Sequence, residues 1–454
     1  MSFVRTHKIE LIIFLLAVVL RFAYLGVSVA VHNGDLIRTV QGADGYFVVS
    51  QNIINGHGFS SSDQEPYLPY SFRPPVYHYF IAWSYWLLGG YGGVIALQVL
   101  IGSILPVLAM YILGFMFSRK IAVWTGFILA VEPVSILFST IFYSETFFML
   151  IFFLSLLYLF SYFKEKNVLH LFFSACFLGF ATLSRPTTEY LPILVVGILF
   201  WEARTHISRE TYIRAALYAL TFLLTLSPWL YRNYALFGEA ALSPQIGVNL
   251  YANVVPSFRA IENGTNYQKE YASLMAEGVS GPNVTNVGGD KGYTQKAIDI
   301  LLQHPGTLAI LAFNTELAFF THDGMFDVLR HIGASPDKLL GKPAVFLLFS
   351  DPQAFLGFIA YYLTKPAILI LLMRIVWYLL TVLGMIGAIR YLIREGANAY
   401  VVSALCLVAY FAAITLVLGF TINARYRLPV EFLILPFALY GLVYLNNVWR
   451  HRSQ

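Results

Sequence analysis

The stretch AILILLMRIVWYLLTVLGMIGAI, residues 367–389, carries a single charge, Arg374, in 23 residues. A helix needs about 20 predominantly apolar residues to cross the hydrocarbon core of a bilayer, so this stretch reads as a membrane span. Comparable runs lie at 11–20, 95–117 and 147–160. The whole chain follows suit: of its 454 residues 58% are hydrophobic and only 12% charged, with a mean hydropathy of +0.68. A water-soluble domain, at roughly 25% charged, is excluded. Tyr and Trp gather at the ends of the runs, as at Trp83, Tyr85, Trp86, Trp201, Trp229 and Trp377, where an amphipathic ring suits the membrane interface.

Run length and breaker residues place spans at 9–31, 93–117, 121–141, 145–163, 168–184, 187–203, 211–230, 366–391, 399–420 and 428–447. The predicted fold is thus an all-α polytopic membrane protein of about ten transmembrane helices. With the N-terminus inside, the inner connections carry Arg119/Lys120, Lys164/Lys166, Arg204/Arg209/Arg214, Arg390/Arg394 and Arg450/Arg452, as the positive-inside rule requires. Both termini are then cytoplasmic. The net charge of +5 is spread over these connections and forms no nucleic-acid surface. Cys176 and Cys406 both sit inside apolar runs and read as packing residues.

Three units follow: an N-terminal transmembrane module, 1–230; an outer domain on the membrane surface, 231–365, mixing polar and apolar stretches; and C-terminal transmembrane helices, 366–454. Inside the first unit, the outer loop 32–92 holds two amphipathic stretches at 46–54 and 76–88, each too short or too polar to span and suited to lying in the interface.

The outer side also collects the candidate chemistry. Gln41-Gly42-Ala43-Asp44-Gly45-Tyr46 holds a carboxylate between glycines at the start of an interfacial helix. Asp44 is the leading catalytic candidate, although an Asp at a helix start also serves as an N-cap. Phe72-Arg73-Pro74-Pro75 sets a guanidinium before a rigid corner, where it suits a lipid phosphate or simply anchors to headgroups. Glu145 opens the fourth span and Arg21 lies mid-span in the first; at such depth each must face protein or a cavity. Arg21 most simply pairs with Glu132 or Glu145. The last outer turn, Asn423-Ala424-Arg425-Tyr426-Arg427-Leu428-Pro429, puts two guanidiniums at the mouth of the bundle. Tyr46, Tyr77, His78 and Arg21 stand near these groups as supporting residues. The outer His residues lack metal-ligand spacing, so no cofactor or metal is demanded, and a divalent ion is left open.

An acid soon after the first span, an Arg-Pro-Pro corner, an acid opening the fourth span and a late Arg-Tyr-x-x-Pro, in that order, resemble the GT-C superfamily of membrane glycosyltransferases. The likeness is to the protein-mannosyltransferase and lipid A aminoarabinose-transferase type, over 1–235 and 366–447. It implies a polyprenyl-phosphate-linked sugar donor, a glycan, lipid or protein acceptor, Asp44 as base, Glu145 as second acid, and Arg73 at the donor phosphate; Arg425 and Arg427 are further candidates to bind that phosphate. The first loop of such enzymes often has two adjacent acids where this chain has Ala43-Asp44, and often Asp where it has Glu145. A different class, a transporter or flippase of polyprenyl-linked saccharides, also needs many spans and buried charge. It usually shows paired, interrupted helices in internal repeats, and the halves of this chain show no similarity.

Overall fold

The structure, a computed structural model, describes residues 7–277, 284–289, 292–334, 344–363 and 368–452. Among the described residues the chain is helical, with one isolated bridge between Ser60 and Pro69. Helix α1 (Lys8–Val31) is followed by a loop carrying α2 (Leu36–Val40), α3 (Tyr46–Ile54) and α4 (Val76–Leu88); α3 and α4 are the two amphipathic stretches of the sequence. Next come α5 (Tyr91–Leu113), α6 (Arg119–Val131), α7 (Pro133–Ser139), α8 (Glu145–Glu165), α9 (Val168–Ser184), α10 (Leu191–Glu202) and α11 (Arg209–Phe237). The 231–365 segment is built from α12 (Gln245–Asn249), α13 (Val255–Glu262), α14 (Tyr267–Ala276), α15 (Tyr293–Leu301), α16 (Pro305–Thr321), α17 (Met325–His331), α18 (Ala344–Ser350) and α19 (Pro352–Leu363). The chain closes with α20 (Ile368–Glu395), α21 (Ala399–Ile414), a 3₁₀ continuation at Thr415–Thr421, and α22 (Leu428–Arg452).

Among the described residues seven helices are long and apolar enough to span: α1, α5, α8, α11, α20, α21 with its continuation, and α22. The chain is therefore a multi-pass integral membrane protein. Their outward faces carry large apolar side chains such as Leu224, 70% exposed, a surface that lipid accepts and water does not. Three of the ten expected spans differ. The 121–141 run is a pair, α6 and α7, bent by 58°. Proline lacks the N–H that would continue the helix and forces the preceding residue out of helical geometry; Glu132, before Pro133, has ψ 118°. The other two are short: α9 has 17 residues and α10 has 12, so α10 reaches only about 18 Å at 1.5 Å per residue.

Packing inside lipid relies on close backbone approach, because apolar side chains gain little by leaving one apolar medium for another. The α20–α22 seam shows it: a Cβ on Gly387 would sit 1.8 Å from the Phe437 carbonyl oxygen, and one on Gly441 would sit 2.3 Å from that of Leu383. The lone charge of the opening stretch is also satisfied. Arg374 pairs with buried Asp323 at 2.6 Å, joining α20 to the corner between α16 and α17.

One end of the bundle collects the loop 32–92 and the turns before α8, after α9 and before α22. Phe142 donates its backbone N–H to the Val40 carbonyl at 2.7 Å, fixing the first loop against the α7–α8 turn. From the 231–365 segment, the Thr285 carbonyl accepts the N–H groups of Ser71 and Phe72 at 2.9 and 3.0 Å, just ahead of Arg73.

Candidate active site

Asp44 is presented by a turn built on two left-handed glycines, Gly42 (φ 64°) and Gly45 (φ 77°), a conformation other residues adopt only under strain. The N-cap position of α3 falls on Gly45, and no side chain caps it. The capping role open to Asp44 in the sequence is not taken. Its carboxylate faces two arginines instead: Arg73 Nη2 lies 3.4 Å from Oδ1 and Arg425 Nη1 lies 3.2 Å from Oδ2. Arg425 also leans toward the second acid, with Nε 3.6 Å from Glu145 Oε1. Glu145, fully buried at the first turn of α8, is paired with Arg185 in the turn after α9.

Tyrosines wall this cluster. Arg425 Nη2 donates to the Tyr426 hydroxyl at 2.9 Å, Arg73 Nη1 to the Tyr46 hydroxyl at 3.4 Å, and the Tyr46 hydroxyl to Ser144 Oγ at 2.9 Å. The Arg73 guanidinium lies 4.8 Å from the Tyr46 ring centre, Arg185 5.2 Å from that of Tyr426, and Arg425 5.4 Å from that of Tyr143. The Tyr143 hydroxyl receives the Ala43 N–H at 3.3 Å, tying the Asp44 turn to the approach to α8.

Within the ion-paired set three guanidiniums against two carboxylates leave one positive charge in excess, with Asp327 acting on Arg425 from beyond that set. Burial alone would push the Asp44 carboxyl up; Arg425, Arg73 and Arg185 outweigh it and hold the group below the usual carboxylate range. Burial would likewise lower Arg73 and Arg425, yet Asp44 leaves both above the usual arginine value. Arg73 Nε and Arg425 Nε are buried donors without a hydrogen-bond partner among the described residues. A buried N–H left unmet is costly, so such donors mark where an anion's oxygens would be received.

Other residues singled out in the sequence lie elsewhere. Arg427 points away from Asp44 into the packing: it donates to the carbonyls of Phe319 and His322 at 2.7 and 2.8 Å, pairs with Glu431 at 3.1 Å and stacks 3.5 Å from the Trp377 ring centre. It thereby satisfies carbonyls at the C-terminus of α16. Arg21 reaches neither Glu132 nor Glu145 as an ion pair; it donates to Ser135 Oγ at 2.8 Å and to the Ala130 carbonyl at 3.2 Å. Glu132 caps α7 through the N–H groups of Val134 and Ser135. Tyr77 donates to Gln98 Oε1 at 2.6 Å and meets the Tyr46 ring edge-on. His78, pushed down to about 3 by burial, is neutral; its Nδ1–H donates to the Pro74 carbonyl at 3.0 Å and braces the Pro-Pro corner. Among the described residues no group of three or more His, Cys, Asp or Glu side chains converges as a metal site.

Arg185 is the site residue that the sequence reading missed. Its signal was present: Ser184-Arg185-Pro186 interrupts two apolar runs on the same side as Arg425.

The sequence model of the dolichyl-phosphate-mannose-protein mannosyltransferase family matches residues 72–231, a segment that takes in Arg73, Glu145 and Arg185. No curated protein sequence matches the chain. Among solved structures, the oligosaccharyltransferase of Archaeoglobus fulgidus in its apo form is similar with a TM-score of 0.50 and 11% identity, over 98% of this chain and 52% of that one. The same protein tethered with an acceptor peptide containing the NVT sequon gives 0.51 and 12%, over 99% and 51%. ArnT from Cupriavidus metallidurans bound to undecaprenyl phosphate gives 0.38 and 14%, over 93% and 77%. At these identities the likeness to the oligosaccharyltransferase is one of fold, and the chain spans about half the length of that protein.

Proposed function

From a chain with the GT-C type membrane fold and a protein-mannosyltransferase match across 72–231, we propose a glycosyltransferase that takes its sugar from a polyprenyl-phosphate carrier and delivers it to an acceptor hydroxyl on the outer face of the membrane. The observation that carries this reading is the convergence of Arg73, Arg185 and Arg425 on Asp44 and Glu145. The five residues come from four separate parts of the chain, and the excess charge with spare N–H donors suits a phosphate.

The chemistry needs little else. A sugar on a polyprenyl phosphate already has a good leaving group, so the protein has to orient the acceptor, take its proton and receive the departing phosphate. The acceptor oxygen attacks the anomeric carbon, the bond from that carbon to the phosphate oxygen breaks, and the hydroxyl proton passes to the Asp44 carboxylate. In-line displacement inverts the anomeric centre. One guanidinium at ~4 Å from a phosphate oxygen contributes about 4 kcal/mol at an effective dielectric near 20. In the resting cluster the same arginines hold Asp44 ionised and weakly basic. A phosphate that shares Arg73 and Arg425 restores its basicity, so donor binding readies the base.

The test is incubation of purified protein with a labelled polyprenyl-phosphate sugar and a membrane extract supplying acceptors. Transfer is expected to release free polyprenyl phosphate in step with labelled product, and Asp44→Asn to abolish both. A protein that moves the labelled lipid across vesicles without releasing carrier phosphate is a transporter, and the proposal falls.

A further inference from the structure

Helices α20 and α22 touch at Gly387 and Gly441, where neither has room for a Cβ. Just beyond those glycines the seam opens. Arg390 and Arg394 stand one turn apart on α20, and Tyr440, Tyr444 and Asn447 recur at helical spacing on α22. The five side chains line a cavity of about 190 Å³ between the two helices. That is the volume of roughly six waters at ~30 Å³ each, room for a phosphate and its glycerol but not for acyl chains.

The cavity lies at the far end of the bundle from Asp44. Leu428, directly after the Arg425 turn, opens α22, and Tyr444 follows it by about 24 Å at 1.5 Å per residue. Arg390 lies about as far along α20 from Arg374, whose partner Asp323 sits at the cluster end. Such a separation approaches the ~30 Å of a hydrocarbon core, so cluster and cavity belong to opposite interfaces.

Charge in the cavity is not fully balanced. The Arg390 guanidinium lies 4.3 Å from the Tyr444 ring centre, and among the described residues no carboxylate or hydrogen-bond acceptor engages it. Arg394 meets its neighbour Glu395 at 3.6 Å, but its side chain is 79% exposed, and a pair in that setting contributes little. Two guanidiniums against one carboxylate leave a single positive charge, beside two phenols and an amide that can donate to oxygen. Ile389, Ile393 and Val443 are exposed on the same helices, so apolar surface adjoins the cationic pocket. Positive residues at an inner connection need no cavity between spans. A cavity that joins cations, polar donors and adjacent apolar surface fits a lipid headgroup.

We propose that this cavity binds a phospholipid with one negative charge, of the phosphatidylglycerol kind. Its phosphate lies between Arg390 and Arg394, its headgroup hydroxyls meet Tyr440, Tyr444 and Asn447, and its chains run along Ile389, Ile393 and Val443. The site is in the leaflet opposite the Asp44 cluster and is independent of the donor reading. Because the Arg425 turn leads directly into α22, a lipid that clamps α20 to α22 also steadies the docking that holds Arg425 on Asp44.

The test requires no turnover. Protein stripped of lipid in detergent is titrated with phosphatidylglycerol or phosphatidylcholine and read by native mass spectrometry, with thermal unfolding in parallel. Phosphatidylglycerol is expected to bind at least about tenfold more tightly than phosphatidylcholine and to raise Tm. Arg390→Gln/Arg394→Gln is expected to remove that preference. Lys164→Gln/Arg209→Gln takes the same charge from the same end of the bundle, at the last turn of α8 and the start of α11, and is expected to leave the preference within about twofold. Equal loss in both double variants reduces the effect to surface charge and overturns the site, as does equal binding of the two lipids by the wild type. Displacement of the bound lipid by excess inorganic phosphate assigns the cavity to free phosphate and overturns the lipid. If the cavity double variant does not fold, Arg394→Gln decides: a loss of about threefold or more in phosphatidylglycerol affinity supports the site, and a smaller change counts against it.

Discussion

Arg425 donates through Nη1 to Asp44 Oδ2 at 3.2 Å although 381 residues separate them. The turn before the last span thus closes onto the first loop, and the same guanidinium leans toward Glu145. One side chain therefore bridges both acids, and the site exists only when the C-terminal helices are docked on the N-terminal ones. Electrostatics within it are shared: moving any of the three arginines changes the proton affinity of Asp44.

Substituting Asp44→Asn keeps size but removes both basicity and the partner charge of two arginines. Turnover is expected to fall at least ~100-fold, the lower end of what a positioned general base supplies, while the protein still purifies as a folded monodisperse species. Rates of carrier-phosphate release for the two proteins check this, and a variant with near-normal turnover would remove Asp44 from the chemistry.

The pH dependence follows from the direction of the Asp44 shift. Its folded value lies below its unfolded one, so its contribution to stability is present above the ordinary carboxylate pKa of about 3.9 and is lost as pH falls through the lower folded value. In the free enzyme Asp44 is ionised throughout the physiological range. On the proposed mechanism a bound donor phosphate competes for Arg73 and Arg425 and raises the proton affinity of the carboxylate. The acid limb of kcat, which reports the enzyme–donor complex, is therefore expected at higher pH than that of kcat/KM, which reports the free enzyme. Coincident limbs would show that the donor does not draw on those arginines.

Glu145 and Arg185 form a buried pair, and removing one partner of such a pair typically costs about 3–5 kcal/mol because it strands the other charge. Glu145→Gln and Arg185→Gln are each expected to lower thermal stability clearly. The double variant should be less destabilised than the sum of the two. Additive losses in a thermal-unfolding cycle would mean that the two side chains are not coupled.

Gly42→Ala tests the turn itself. Its φ of 64° disfavours any Cβ, and that Cβ would stand 2.8 Å from the Tyr143 ring. Because Tyr143 receives the Ala43 N–H, displacing it swings Asp44. Turnover is expected to drop at least tenfold with a modest loss of stability. Wild-type turnover in a folded Gly42→Ala protein would show that the turn tolerates the displacement.

The spans were legible because run length and charge placement are local properties of the sequence. The exceptions have local causes that hydropathy averages away: Pro133 bends one run, and Arg185-Pro186 cuts the next two short. Of the cluster that the structure brings together, Asp44, Arg73, Glu145 and Arg425 stood out in the sequence as charges on the outer turns, although a helix cap for Asp44 and a headgroup anchor for Arg73 fitted the sequence as well. Arg427 was grouped with Arg425 on adjacency alone, yet Glu431 stands one helical turn after it and captures it. That i,i+4 acid separates the two arginines on paper as well as in space. Which arginine meets which carboxylate is a long-range property, set by how α8, α9 and α22 dock, and no sequence window contains it.

Arg73 allows the sharpest separation of chemistry from structure. The sequence leaves it open as a headgroup anchor, and a solvated cation of that kind would cost the fold little to lose, but its side chain is only 16% exposed, paired with Asp44 and laid on the Tyr46 ring. Arg73→Ala is therefore expected to destabilise by about 1.5–3 kcal/mol, the range for hydrogen bonds to charged groups. Asp44 keeps Arg425 as a partner, so the cluster persists. On the proposed mechanism the Arg73 contact with the departing phosphate strengthens as negative charge develops, so its loss falls on kcat as well as on donor KM. Arg73→Lys retains the charge without the planar fork and should be intermediate in both. Initial rates against carrier-lipid concentration for the three proteins, with thermal unfolding in parallel, check the series. If Arg73→Ala matches wild type at every donor concentration, or loses activity only where it unfolds, the phosphate is received by Arg185 and Arg425 alone, and Arg73 serves to hold Asp44.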